Sequence, residues 1–192
     1  MAKTTRSFIA IALNEQLHKE LEFLQSKLKT ADADVKWVKP ENIHLTLKFL
    51  GNITDEQIEQ VKNSLKKIGS NFKFYQIHLS EIGAFPKISY PRVIWVGMDE
   101  GVEATNKIYQ SIEEELTKKG FEKEKRPFSP HLTLGRVRSG KYRHNLIRII
   151  EKQKDFSSPS KLFVEEIVLF KSTLTPKGSI YEPIFKGSLV KT

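Results

Sequence analysis

The 192-residue chain contains no cysteine. That absence excludes a disulfide framework, a catalytic thiol and any thiolate metal site, and it makes a reducing cytoplasm the simplest home. Long apolar runs are missing as well. Nothing approaches the ~18–20 residues of a membrane span, so no membrane association is expected. The nearest candidate, Phe8-Ile9-Ala10-Ile11-Ala12-Leu13, follows Lys3 and Arg6 in the manner of a leader peptide. It is short, lacks a small-residue cleavage site and runs directly into a charged amphipathic segment, so it reads as a buried strand. Low-complexity linkers are also absent, which points to one domain over residues 1–192, as a single body or as two small lobes packed tightly together. Histidine is scarce, at five residues, and acidic residues are missing from one window: Lys125 to Ile150 holds seven basic side chains and none of opposite sign.

What is present describes a soluble globular protein, with 39% hydrophobic and 29% charged residues. The net charge of +9 is spread over both halves of the chain. A basic surface suits a polyanionic ligand, nucleic acid being the commonest, but it equally suits a Lys-rich solvated face that serves solubility.

The sequence is organised around a tetrapeptide that occurs twice, His44-Leu45-Thr46-Leu47 and His131-Leu132-Thr133-Leu134. Alternate side chains of an extended strand share a face. His44 and Thr46 therefore project together, opposite Leu45 and Leu47, and His131 and Thr133 do the same. Each copy becomes a strand with an apolar back and a front that pairs an imidazole with a hydroxyl. Two such fronts facing each other would line a symmetric polar cleft. His18, His78 and His144 lack a hydroxyl partner at this spacing and read as surface residues.

Along the chain, Arg6 to Leu13 reads as a strand, and Asn14 caps a helix with Leu17, Leu21, Leu24 and Leu28 inward. Val35 to Val38 is a short strand, and the first motif strand runs to about Phe49. Thr54-Asp55-Glu56-Gln57 is a capping box for a second helix that stops at Gly69. Phe72 to Ile82 and Arg92 to Met98 read as strands, with a long connection through Gly83, Pro86 and Pro91. A helix from Val102 to Lys119 precedes the second motif strand, followed by a basic helix from Tyr142 to Lys154. Strands at Lys161 to Ser172 and Tyr181 to Gly187 complete an α+β pattern with two similar halves.

Imidazole titrates near neutrality, so two of them flanking one substrate can act as base and acid in the same turnover. Hydroxyl donors beside them suit phosphate oxygens that gain charge during attack. A zinc or di-metal site would need a third ligand or carboxylates near the histidines. Only Glu41 is close in sequence to either copy, so no metal and no cofactor is expected.

In this context the paired His-x-Thr-x (HxTx) motifs resemble the two-histidine phosphoesterase superfamily, and within it the LigT-like RNA 2′,3′-cyclic phosphodiesterases, also called 2′-5′ RNA ligases. The resemblance extends over Arg6 to Ile11, His44 to Gly51, Gly83 to Pro86 with Pro91 to Gly97, Pro127 to Arg136, Ser172 to Pro176 and Gly178 to Tyr181. It implies an α+β bilobal fold of two interleaved, pseudo-symmetric lobes, each an antiparallel sheet flanked by helices, with one motif in each lobe and the active-site cleft between them. It also implies a cyclic phosphodiesterase, a hydrolase that opens RNA terminal 2′,3′-cyclic phosphate to a 2′-phosphomonoester, with related reversible joining of tRNA halves. His44 would be the proton donor and His131 the proton acceptor. Thr46 and Thr133 would hold phosphate oxygens, Arg136 would add positive charge at the rim, and Phe49 would stack on the terminal base. Strand alternation instead places Phe49 on the core face with Leu45 and Leu47, so a bend near Gly51 is needed for that role. The expected partner is RNA, with no protein partner and a monomeric state. Two readings compete: the same fold acting on a small cyclic nucleotide or a 2′-5′ oligonucleotide, and an RNA-binding module without catalysis.

Overall fold

The computed structural model describes residues 3–176 and 178–191. In chain order the elements are β1 (Thr4–Ala12), α1 (Glu15–Lys29), β2 (Val35–Trp37), a 3₁₀ turn (Pro40–Asn42), β3 (His44–Thr54), α2 (Asp55–Gly69), β4 (Tyr75–Lys87) and β5 (Tyr90–Glu100). They continue with α3 (Val102–Thr117), β6 (Leu132–Val137), α4 (Arg143–Lys152), β7 (Ser157–Val164), β8 (Glu166–Thr175) and β9 (Gly178–Ser188). No helix among the described residues is long and apolar enough to cross a membrane.

Local chemistry explains most of the helix boundaries. The Asn14 side chain accepts from the Leu17 amide at the start of α1, and Leu17, Leu21, Leu24 and Leu28 are buried on one face. Thr54 and Gln57 satisfy each other's backbone amides in a complete capping box on α2. Gly101 opens α3 with φ of +80°, and a Cβ there would lie 2.4 Å from the Gln76 carbonyl oxygen, so glycine is required at that turn.

Two expectations from the sequence change. The connection through Gly83, Pro86 and Pro91 is not a loop: β4 and β5 pair along Leu79 to Lys87 and turn tightly after Lys87. A register shift between Phe85 and Pro86 accommodates the proline within the ladder. The strand read from Lys161 to Ser172 is two strands, because the chain leaves β7 at Val164 and enters β8 at Glu166.

That one-residue passage reveals the curvature of the sheet. The nine strands follow the order β7-β4-β5-β6-β3-β1-β8-β9, with β2 on β6, so β7 and β8 lie near opposite ends of the path. A single residue joins them, which requires the sheet to curl until its ends meet at one base. There the Leu189 amide donates to the Glu165 carbonyl and Lys73 bridges Val190. The result is a curled antiparallel half-barrel of two lobes: β7-β4-β5-β6-β2 and β3-β1-β8-β9. Helices α2 and α3 cover the second lobe and α1 and α4 the first, so α1 and α3 each cross to the lobe opposite the strand that precedes them. The buried Leu and Ile side chains of strands and helices form one continuous core on the helical side.

Candidate active site

The two lobes join where β3 meets β6, in the antiparallel pair Leu45 and Leu132. An antiparallel pair has a local two-fold axis, so this one contact relates the two motifs to each other. Both leucines are fully buried. Their neighbours His44, Thr46, His131 and Thr133 therefore project from the opposite, concave face, with His44 set across from Thr133 and Thr46 across from His131. Regular pairing would hold the two histidines diagonally about 7–8 Å apart, with their Cβ atoms somewhat closer. The ladder between β3 and β6 is confined to that pair, which lets the strands diverge into a cleft.

The two copies match in detail. Positions 44–50 and 131–137 run through the same burial sequence, alternating until two successive buried residues, Leu47-Lys48 and Leu134-Gly135. The cause is a bulge in each strand. Against β1 the register slips between Thr46 and Lys48, and against β5 it slips between Thr133 and Gly135. One extra residue inverts the phase beyond it.

The histidines are oriented identically. Nδ1 of His44 donates to the Asn42 carbonyl at 2.7 Å, and Nδ1 of His131 donates to the Ser129 carbonyl at 2.7 Å. A carbonyl can only accept, so the Nδ1 proton is fixed in both rings and Nε2 is the nitrogen that exchanges a proton. Burial lowers both imidazoles from their ordinary range. The carbonyl bonds oppose that shift, while His18 beside His44 and Arg136 beside His131 add to it.

Their walls differ. His44 stacks on Phe8 with ring centroids 4.7 Å apart and meets Tyr181 edge-on at 5.3 Å. The far half of the β8–β9 ribbon supplies that tyrosine, and the Asn42 side chain ties the ribbon down by donating to the Ser179 carbonyl at 2.8 Å. Among the described residues His131 meets a single aromatic ring, Phe85, edge-on at 5.0 Å, with Trp95 behind it.

Phe49 is 66% exposed, and the expectation that it lies on the core face is overturned. The bulge at Leu47, rather than a bend at Gly51, turns it to the cleft side, where its ring lies 6.2 Å from Phe8. Arg136 occupies the equivalent place in β6, exposed and paired with Val93 and Lys36. The structure thus brings His44, Thr46, His131 and Thr133 together and sets Phe49 and Arg136 on opposite flanks.

The same bulge sends Lys48 inward, a residue the sequence reading gave no role. Its Nζ donates to Glu113 Oε1 at 2.5 Å and to the Glu122 carbonyl at 2.8 Å, with both side chains of the pair only 5% exposed. Glu113 Oε2 in turn accepts the Glu124 amide. The pair thereby ties the strand of the first histidine to the segment that delivers the second, and Phe128, stacked on Tyr109 at 4.0 Å, holds the same segment further along. Two other histidines are also not free surface residues. His18 Nε2 lies 3.2 Å from the Ile43 carbonyl beside the cleft. His78 donates to Asp99 Oδ1 at 2.6 Å and to the Ser158 carbonyl at 2.8 Å, and the Asp99 bond raises it. Neither had a local signal, since both sets of partners lie far along the chain.

A curled two-lobed sheet with one His-x-Thr-x strand from each lobe defines a phosphoesterase. A family model described as "LigT like Phosphoesterase" matches residues 11–95 and again residues 96–181, one match for each half. The chain belongs to the LigT-like phosphoesterase family and is an enzyme. It is 36% identical over 176 residues to the RNA 2′,3′-cyclic phosphodiesterase of Methanothermobacter thermautotrophicus, covering 92% of this chain and 94% of that one. It is 38% identical over 181 residues to the protein of the same name in Methanocaldococcus jannaschii, covering 93% and 98%. Its fold matches the crystal structure of Escherichia coli LigT in apo form with a TM-score of 0.78 at 22% identity, over 98% and 99% of the two chains.

Proposed function

We propose that the protein hydrolyses the 2′,3′-cyclic phosphate at an RNA end to a 2′-phosphomonoester, without a cofactor, by acid-base catalysis between its two motif histidines. The observation that carries this reading is the tautomer shared by His44 and His131, each with Nδ1 held by the carbonyl two residues back and Nε2 left to exchange a proton. In the proposed reaction neutral His131 takes a proton from water through Nε2 as the water oxygen attacks phosphorus. Protonated His44 gives its Nε2 proton to the 3′ oxygen as the phosphorus–O3′ bond breaks, leaving a free 3′-hydroxyl. Thr46 and Thr133 donate to the non-bridging phosphate oxygens as they gain charge. Phe49 stacks on the terminal base, and Arg136 adds positive charge on the other flank. Replacing the water by the 5′-hydroxyl of a second RNA, such as a tRNA half, gives a 2′-5′ phosphodiester through the same proton transfers. The protein works as a monomer in this scheme, since both histidines come from one chain.

The test is to incubate an RNA ending in 2′,3′-cyclic phosphate with the protein in EDTA and to identify the terminal phosphate. A 2′-phosphate from the parent protein, absent with His44→Ala and with His131→Ala, is expected. A 3′-phosphate product, or undiminished turnover by either variant, would overturn the mechanism.

A further inference from the structure

Four cations outside the cleft collect at one end of the sheet: Arg92 on β5, Arg138 just after β6, and Lys141 and Arg143 in the turn that enters α4. None of them has a carboxylate partner among the described residues, whereas eleven ion pairs occur elsewhere. Two of them share one ring. The guanidinium carbons of Arg143 and Arg92 lie 4.5 and 5.6 Å from the Tyr90 ring centroid, and Arg143 Nε finds no acceptor there. Lys141 Nζ lies 5.3 Å from the Tyr142 ring. Both tyrosines are exposed. Arg92, then Arg143, hold the Tyr90 hydroxyl below its ordinary range, as expected in a local field of one sign.

Strand β6 leads from the cleft to this patch. It begins after His131, carries Arg136, and passes the chain to Arg138. Arg136 pairs with Val93, the neighbour of Arg92. Cations therefore follow one another outward from the cleft, and Arg138 stands roughly 20 Å from His131 by strand rise. Unpaired like charges repel one another, and an anionic ligand removes that cost. The interleaved exposed rings favour a single-stranded nucleic acid, whose phosphates follow a basic track while its bases stack on aromatic faces.

Building on the RNA-end reading above, we propose that this patch binds the phosphodiester backbone of the same RNA strand several nucleotides in from its cyclic end. The enzyme then selects an RNA strand over a free cyclic nucleotide.

The experiment compares a 2′,3′-cyclic mononucleotide with an RNA of about ten nucleotides bearing the same end, for the parent and for R92Q/K141Q/R143Q. The parent should favour the RNA in kcat/KM by at least about tenfold at low salt. The variant should lose about tenfold on the RNA and nothing on the mononucleotide. Three lost contacts, at about 0.7 each for a single strand, should also flatten the slope of log KM against log salt by roughly 2. Equal kcat/KM for the two substrates in the parent, or an equal loss on both in the variant, would overturn the proposal. Should the triple variant fail to fold, R138Q/K141Q, changed at two exposed side chains, carries the same comparison. Absence of turnover on both substrates counts against the reaction proposed above, and anisotropy of a labelled RNA strand then decides the patch. Tighter binding by the parent than by the variant upholds it. Equal binding, or displacement of the RNA by polyglutamate more readily than by unlabelled RNA, rejects it in favour of an acidic protein partner.

Discussion

The strands that carry His44 and His131 share a motif, a bulge, a burial sequence and a carbonyl bond to Nδ1, and they diverge immediately beyond the bulge. Inward, Lys48 of β3 reaches the buried Glu113, while its equivalent Gly135 yields its space to β2: a Cβ there would lie 2.7 Å from Val35 Cγ1 and 2.9 Å from Trp37 Cε3. Outward, β3 presents Phe49 and β6 presents Arg136. His44 is also enclosed by Phe8 and Tyr181, where His131 has one edge-on phenylalanine. The shared part is what the proposed proton transfer across one phosphate requires, a nearly two-fold arrangement. The differing part suits the proposed ligand, which is not two-fold and has a base on one side and phosphate charge on the other.

The comparison breaks most visibly at the histidines. His44→Ala and His131→Ala should each reduce kcat/KM by on the order of 10²–10⁴. They should differ in pH dependence: the proposed mechanism needs His131 neutral and His44 protonated, so loss of His131 should remove the acidic limb of the profile and loss of His44 the alkaline limb. Both groups lie below the ordinary value of 6.5 in the free enzyme. Protonated His44 is therefore lost as pH rises through values below 6.5, and parental kcat/KM should fall across neutrality. A flat profile between pH 5 and 8 would rule out the acid-base assignment.

Next in size is the inward difference. Lys48→Met should cost about 3–5 kcal/mol of stability in urea unfolding, because it strands the Glu113 carboxylate, and Lys48→Met/Glu113→Leu should recover most of it. Gly135→Ala should cost about 1–3 kcal/mol through overpacking against Trp37 and Val35. A harmless Lys48→Met would show that the buried pair contributes nothing to stability and leave the steric limit at Gly135 as the inward difference.

The outward difference is smaller. Phe49→Ala should raise KM about tenfold, in line with about 1–3 kcal/mol for one stacked base, and leave kcat nearly unchanged. Phe49→Arg, which makes the two flanks alike, should not restore it. Smallest of all is Asn42→Ala, expected to cost about 1 kcal/mol of stability and a few-fold in kcat. It frees the β8–β9 ribbon from its tie at Ser179 but keeps the main-chain carbonyl that orients His44. An effect as large as that of His44→Ala would mean that the ribbon itself takes part in the chemistry.

Much of this was legible locally. The apolar stripe of α1, the capping box of α2 and the alternation in each His-Leu-Thr-Leu stretch depend on neighbours within four residues, and all appear where periodicity places them. Two of the misreadings share a cause. Alternation carried past Leu47 places Phe49 in the core, and a local apolar pattern runs the strand from Lys161 unbroken through Glu165. Bulges and strand exits answer to partners across the sheet and leave no mark in the local pattern.

The sequence by itself determined the chemistry available: two imidazoles, each two residues from a threonine, on strands with apolar backs. Only the tertiary structure decided that Leu45 and Leu132 would pair and so place both imidazoles in one cleft. It also decided that Phe8 and Tyr181 would enclose one histidine, that Lys48 would turn inward to Glu113, and that Phe49 would turn out. The reason is physical. Side-chain type and strand period are properties of consecutive residues, whereas register, bulge phase and burial arise from contacts between segments that meet only when the sheet curls.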